Sequence, residues 1–259
     1  MAVDSKWLVR RSQLECFDER IVRQRSLSEQ RIGVNPLTGI RATVEDLRIV
    51  DTKSHWEKVY RTKRPNEVSW YRAHLDVSLR LIEEAAPTRD AHIIDVGGGE
   101  STLVDDLLAR EYREISILDV SSTALHVTKE RLGADADKVN WLCGDVTTFG
   151  LVRHQFDVWH DRAVFHFLTD ANDRVAYVRQ VAHAVKPGGH IIVATFGPEG
   201  PTTCSGLNIV RYDPDALHGE FGASFRLVKH HTELHRTPAG SMQQFIYCYC
   251  TISGDRSYL

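Results

Sequence analysis

His92-Ile93-Ile94-Asp95-Val96-Gly97-Gly98-Gly99-Glu100-Ser101 is an apolar run that ends in an acid and three consecutive glycines. The residues after it, Thr102–Arg110, have the apolar spacing of an amphipathic helix. A buried strand, a glycine turn and a helix in that order open a nucleotide-binding β/α unit. The backbone must turn sharply at such a place and let a ligand come close, and glycine permits both. The next apolar strand, Ile115–Val120, brings in Asp119, 22 residues beyond Gly97. An ionised carboxylate there only accepts hydrogen bonds, which suits the two hydroxyls of a ribose. Loop and acid together predict a site for an adenosine-bearing cofactor.

Working outward, the β/α rhythm holds for about a hundred residues. Upstream, residues 54–60 and 75–86 read as helices separated by a loop around Pro65. Downstream come a helix over Ser122–Leu132 with Ser121 as N-cap, a strand over Val139–Cys143 and a strand over Phe156–Trp159. A helix over Asn172–Val185 stops at Pro187-Gly188-Gly189, and Ile191–Phe196 is a fifth strand. The rhythm then changes to a Gly/Pro/Thr-rich loop (197–208), a short helix near Pro214–Glu220, and strands over Phe225–His235 and Gln244–Ile252. The short turn Thr237-Pro238-Ala239-Gly240 between those two makes them an antiparallel pair. The expected fold is a three-layer α/β/α sandwich around a seven-stranded, mostly parallel, Rossmann-like sheet with an antiparallel last strand. There is no internal repeat. The domain is expected over 51–259. Residues 1–50 are Arg-rich and polar, with a helical patch at Leu14–Val22, and read as a separate arm with the composition of a partly disordered segment.

Composition narrows the class. The chain has 259 residues, 42% hydrophobic and 26% charged, enough for one large core, and a net charge of −3 gives no general attraction to nucleic acid or anionic membranes. No apolar run approaches the ~20 residues of a bilayer span. The first residues lack a signal-peptide core, and Asp4, Glu15, Asp18, Glu19 and Glu29 argue against a mitochondrial transit segment. Cys16, Cys143, Cys204, Cys248 and Cys250 are odd in number and irregularly spaced, so neither a disulfide framework nor a metal site is expected, and the default location is cytoplasmic.

A dinucleotide site wants G-x-G-x-x-G facing a pyrophosphate, whereas here the glycines fall at 97, 98 and 99 and position 102 is Thr. Asp95 would repel a pyrophosphate and attract an ammonium or sulfonium. A nicotinamide-dependent dehydrogenase is therefore the least favoured reading. The set Asp95-x-Gly97-x-Gly99, Asp119, Gly144-Asp145, Pro187-Gly188-Gly189 and the terminal hairpin resembles the class I S-adenosylmethionine-dependent methyltransferases, over roughly residues 54–252. Ser101 stands where many members carry a third glycine. The resemblance implies S-adenosylmethionine as cofactor and S-adenosylhomocysteine as product. It implies that Gly97 and Gly99 pass under the methionine part, with Gly98 between them also cofactor-binding, and that Asp95 orders its amino group. It further implies that Asp119, beside Val120, holds the ribose, and that Asp145 meets the adenine amino group with Val146 packing beside it. Trp159-His160-Asp161-Arg162 would then line the methyl-transfer chamber, with His160 touching both cofactor and acceptor.

Candidate acceptor residues fall in three groups. Trp56, Tyr60, Trp70 and Tyr71 precede the core fold and are candidates for a lid that meets a sulfonium by cation–π attraction, or for packing of a covering helix. His160 and Asp161 are the candidate acid–base pair, with Arg162 and His166 beside them. Cys204 and Arg211 lie on the loop after the fifth strand, one a thiol and the other a clamp for an anionic group. The expected function is in-line methyl transfer to a small-molecule acceptor. The first alternative is a protein lysine methyltransferase: His55-Trp56…Tyr60 and Trp70-Tyr71 resemble the N-terminal region of elongation-factor lysine methyltransferases, but Trp-His-Asp-Arg stands where an Asn-Pro-Pro-Tyr-type motif would bind the amine. The second alternative is a non-catalytic cofactor-binding module.

Overall fold

The computed structural model describes residues 52–253, so the expectations for residues 1–50 lie outside the described residues. Helices α1 (Thr52–Thr62) and α2 (Asp76–Ala85) lead into β1 (His92–Val96), α3 (Leu103–Ala109), β2 (Glu114–Asp119), α4 (Ser122–Leu132) and β3 (Val139–Cys143). Then follow β4 (Phe156–Arg162), α5 (Ala171–Ala184), β5 (Val185–Phe196), the two-residue strands β6 (Thr203–Cys204) and β7 (Leu207–Asn208), α6 (Pro214–Phe221), β8 (Phe225–Arg236) and β9 (Met242–Ile252). The main sheet has the order β3-β2-β1-β4-β5-β9-β8. Strands β1 to β5 pair in parallel, and β9 runs antiparallel between β5 and β8. This is the seven-stranded, mostly parallel sheet with an antiparallel last strand that the sequence predicts.

Alternation along the central strands splits the core in two. Ile93, Ile117, Val158 and Ile192 face α2 and α3 with Leu79, Ile82 and Leu107. Ile94, Val96, Leu118, Trp159, Ile191 and Val193 face the α5 and α6 side with Tyr177, Val181 and Leu217. Strands buried on both faces need no polar alternation, which is why they read as short continuous apolar runs. Ser121 caps α4 by accepting from the Ala124 N–H at 3.2 Å, as its position predicts.

Two boundaries differ from expectation. Strand β5 starts at Val185, because Phe156 pairs with Val185 and a register shift carries the chain through Pro187-Gly188-Gly189. Strand β4 continues to Arg162, held on one side by pairing of His160 and Asp161 with Asp95 and Val96 and on the other by pairing of His160–Arg162 with Ile192–Ala194. The strand order reverses between β1 and β4, so the crevice that binds ligands in such sheets opens there, beyond the carboxyl ends of the strands.

Candidate active site

A cleft lies at that reversal. Its floor is Asp95–Gly98, Glu100 and Ser101, one side is Leu118–Val120 with Gly144–Thr147, and the opposite side carries His160, Arg162–Val164 and Phe167. Trp56, Tyr60, Trp70 and Tyr71 line it from the segment before β1.

The glycine turn is shaped by the carboxylates around it. A Cβ on Gly99 would stand 2.6 Å from Asp119 Oδ2, and one on Gly98 2.6 Å from Asp95 Oδ2. Gly97 has φ of +70°, a conformation costly for other residues. The turn is therefore glycine because two buried acids occupy the space where side chains would go. Asp119 is tied back to the turn: Gly99 N–H donates to Oδ2 at 3.0 Å and Ser121 N–H donates to Oδ1 at 2.8 Å. Burial pushes its pKa up to about 7, against the pull of those two N–H groups. Asp145 is exposed and accepts from Thr147 N and Oγ1 at 2.8 and 2.7 Å, with Val146 buried beside it.

His160 is 1% exposed and its Nδ1 lies 2.7 Å from Asp95 Oδ1. An ionised carboxylate only accepts, so Nδ1 carries the proton and Nε2 is left as a lone-pair acceptor. Among the described residues, neither His160 Nε2 nor Asp95 Oδ2 has a hydrogen-bond partner. Asp95 and His160 are register partners on adjacent parallel strands, which puts both side chains on one face of the sheet.

The aromatic wall is built on α1. Trp56 stacks edge-on against Trp70 and Phe167, with ring centroids at 5.8 and 5.0 Å, and Tyr60 lies 5.9 Å from Trp56. Glu57, on the same helix, anchors that wall to α4: it accepts from Ser122 N at 2.7 Å, Ser122 Oγ at 2.9 Å and the Thr123 hydroxyl. Burial works to raise the Glu57 pKa, but the bonds from Thr123 and Ser122 together hold it below the usual carboxylate value. A carboxylate from one helix thus supplies the N-terminal partners of another.

Four expected site residues prove to be otherwise engaged. Asp161 is fully buried, accepting from Val164 N–H at 2.9 Å, Phe165 N–H at 3.1 Å and Tyr177 Oη at 2.6 Å. It pins the turn after β4 and is absent from the cleft lining, correcting its assignment to chemistry. His166 is also fully buried, takes Phe196 N–H at Nδ1, and burial lowers its pKa to about 3, so it is a neutral core residue outside the cleft. Arg211 donates to the carbonyls of Pro198 and Gly200 and folds the loop after β5 instead of reaching the cleft. Arg162 lines the cleft, but its guanidinium is committed to Tyr247 Oη, Trp70 O and Glu233, and lies 3.9 Å from the Phe245 ring centroid. Cys204 lines the cleft too, with burial pushing its thiol up to about 11, the wrong direction for a nucleophile. Glu57, Glu100 and Phe167 were not anticipated. A charged residue inside a glycine turn was the available signal for Glu100, and nothing local marks Glu57.

Asp161→Ala is expected to cost about 2–4 kcal/mol, because it strands buried donors from three groups. A thermal melt should show Tm lower by roughly 5–12 °C, and an unchanged Tm would sink the structural role given to Asp161.

Among the described residues, no group of three His, Cys, Asp or Glu side chains is placed to hold a metal ion, and no helix is long and apolar enough to cross a membrane.

Residues 93–189 match the model of a methyltransferase domain. The chain is 24% identical over 120 residues to the ubiquinone biosynthesis O-methyltransferase of Coxiella burnetii, covering 46% of this chain and 50% of that protein. It is 28% identical over 119 residues to alpha N-terminal protein methyltransferase 1 of Arabidopsis thaliana, covering 44% and 42%. The chain thus spans about half the length of the curated relatives it matches. Its fold is shared with the Burkholderia thailandensis 1,6-didemethyltoxoflavin-N1-methyltransferase, solved with bound S-adenosylhomocysteine: TM-score 0.59 at 15% identity, over 78% of this chain and 87% of that one. A glycine turn folded against a buried acid at the end of the next strand, on this strand order, lies within the residues that match the methyltransferase-domain model, and together they support placing the chain with the class I S-adenosylmethionine-dependent methyltransferases.

Proposed function

We propose that the chain transfers a methyl group from S-adenosylmethionine to a small-molecule acceptor that carries a removable proton. The observation that carries this is the neighbourhood of His160. A buried imidazole, oriented by Asp95 and with Nε2 unpartnered, borders a cleft walled by Trp56, Tyr60, Trp70 and Phe167.

The cleft suits the family's cofactor on its own chemistry. Asp119 retains lone pairs beyond the two backbone N–H groups it holds, enough to accept from ribose hydroxyls. Asp95 Oδ2 and both Glu100 oxygens are buried acceptors without partners among the described residues, facing a cleft that would take a cationic ligand. Asp95, Gly97–Gly99, Asp119, Val120, Asp145 and Val146 would hold it. When bound, S-adenosylmethionine supplies a methyl group on a sulfonium sulfur. The chain's own contribution is alignment, exclusion of water by the aromatic wall, and a lone pair at His160 Nε2 to take the acceptor proton.

A protein amine is the second reading, favoured by the similarity to the Arabidopsis N-terminal protein methyltransferase. The test incubates the purified chain with methyl-labelled S-adenosylmethionine and a cell extract, then separates products by size. Label in the small-molecule fraction is the expected result. Label on protein bands alone would overturn it in favour of the second reading.

A further inference from the structure

Glu100 is a buried charge with nothing to answer it. It sits inside the glycine turn, is 7% exposed and lines the cleft. Neither carboxylate oxygen has a hydrogen-bond partner among the described residues. The groups facing it are Asp119 from β2, Arg131 from α4 and Tyr60 from α1. Arg131 does not pair with the carboxylate. Its NH1 donates to the Glu100 carbonyl at 3.0 Å, and its NH2 to the Ser101 carbonyl at 2.6 Å and to Asp105 Oδ2 at 2.8 Å. Asp119 is a like charge, each of whose oxygens accepts from one backbone N–H, of Gly99 or Ser121. A buried, unpaired carboxylate is costly, and its natural complement is a cation.

We propose that Glu100 is a charge-selecting cofactor residue, which makes the cleft prefer cationic S-adenosylmethionine over the uncharged thioether product S-adenosylhomocysteine. This rests on the cofactor reading above. The cofactor carries a sulfonium and an ammonium against one carboxylate and is net cationic, whereas the product has lost the sulfonium and is net neutral. The two share adenosine, ribose and amino-acid contacts, so Asp119, Asp145 and Asp95 hold them alike. A further carboxylate in the same low-dielectric cleft separates them by charge. The selection acts at the right step of the cycle: transfer of the methyl cancels the charge that Glu100 attracts, so the product is weakened in place and leaves.

Burial pushes the Glu100 pKa up to about 7, with Arg131 pulling it down and Asp119 adding to the rise. Near neutral pH the free protein therefore holds a proton there in part of its molecules. A cation stabilises the ionised form, so binding S-adenosylmethionine releases that proton, and affinity for it rises with pH through this range. Asp119 meets the ribose of both ligands, so any proton it releases is common to both. The excess released with S-adenosylmethionine belongs to Glu100.

The test is titration calorimetry of wild-type and Glu100→Gln protein with S-adenosylmethionine and with S-adenosylhomocysteine, at pH 7 in buffers of different ionisation enthalpy. Wild type is expected to release more protons with the cofactor than with the product. Glu100→Gln is expected to lose that excess, and to weaken cofactor binding about tenfold while product binding stays within twofold. Equal loss of both affinities in Glu100→Gln would overturn charge selection and make Glu100 a structural residue of the turn. If the variant does not fold, the wild-type titration alone decides, since equal proton release with both ligands overturns the proposal. Wild type that binds S-adenosylhomocysteine yet shows no preference sinks this proposal and leaves the cofactor reading standing. Wild type that binds neither ligand sinks both.

Discussion

Asp119→Ala is expected to abolish measurable cofactor binding, a loss of at least 100-fold in affinity, on the order of 3 kcal/mol or more. Two effects add. The substitution removes the acceptor that the ribose hydroxyls need. It also strands the Gly99 and Ser121 N–H groups, buried donors that Asp119 now satisfies at 3.0 and 2.8 Å. The glycine turn is held in place by the first of those bonds, so the ligand loses both a partner and the shape of its floor. Asp119→Asn separates the two effects in part. Its one oxygen can serve a single N–H, and its amide hydrogens would meet the other donor head-on, so an intermediate loss is expected. Calorimetry with S-adenosylhomocysteine is the measurement, and normal affinity in Asp119→Ala would remove this residue from the site. The acid-side limb follows from the same group. Burial raises the Asp119 pKa to about 7, and the protonated form gives up acceptor capacity, so S-adenosylhomocysteine affinity is expected to fall as pH drops from 8 to 6.

The parts of the site written in contiguous sequence were legible, and the parts made by strand parity and distant partners were not. Asp95, Gly97, Gly98 and Asp119 sit at the ends of short apolar runs, where local pattern alone fixes which residues meet the crevice. Strand β4 shows how such reasoning fails. Reading it as ending at Trp159 puts His160, Asp161 and Arg162 together in one chamber loop. In the structure the strand runs to Arg162, so successive side chains point to opposite faces. His160 then shares a face with Asp95 and Val158, while Asp161 shares one with Trp159 and is sealed under Tyr177 of α5. Three residues of extra pairing, with the alternation that pairing imposes, decide which of the two neighbours reaches the cleft. Arg162 has the right parity but is occupied by Glu233 and Tyr247, acceptors 71 and 85 residues away that no local motif announces. Glu57 is a further case: it anchors the aromatic wall through Ser122 and Thr123, 65 and 66 residues downstream.

His160→Ala is expected to lower kcat by about 10²–10⁴-fold, the usual range for loss of a positioned general base, while S-adenosylmethionine affinity stays within a few-fold of wild type. The geometry makes the base argument specific. Asp95 Oδ1, 2.7 Å from Nδ1, fixes both ring orientation and tautomer, and leaves the Nε2 lone pair buried and unpartnered beside the cleft. An acceptor O–H seated there can pass its proton to Nε2 as the methyl group arrives, a protonated amine must pass its proton first to free the lone pair that attacks, and in either case the imidazolium formed would be stabilised by the carboxylate behind it. Truncation to alanine also strands Asp95 as an unpaired buried carboxylate, which by itself would lower stability. His160→Asn controls for this, since its amide N–H can still donate toward Asp95 while nothing on the side chain can accept a proton at the Nε2 position. Matching kcat losses in the two variants, with Tm retained in His160→Asn, would identify proton transfer as what is lost. A kcat preserved in His160→Asn and reduced only in His160→Ala would make the imidazole a support for Asp95. A kcat unchanged in both would mean that the acceptor reaches the cleft already deprotonated, and would place the work of catalysis in alignment and desolvation by the aromatic wall.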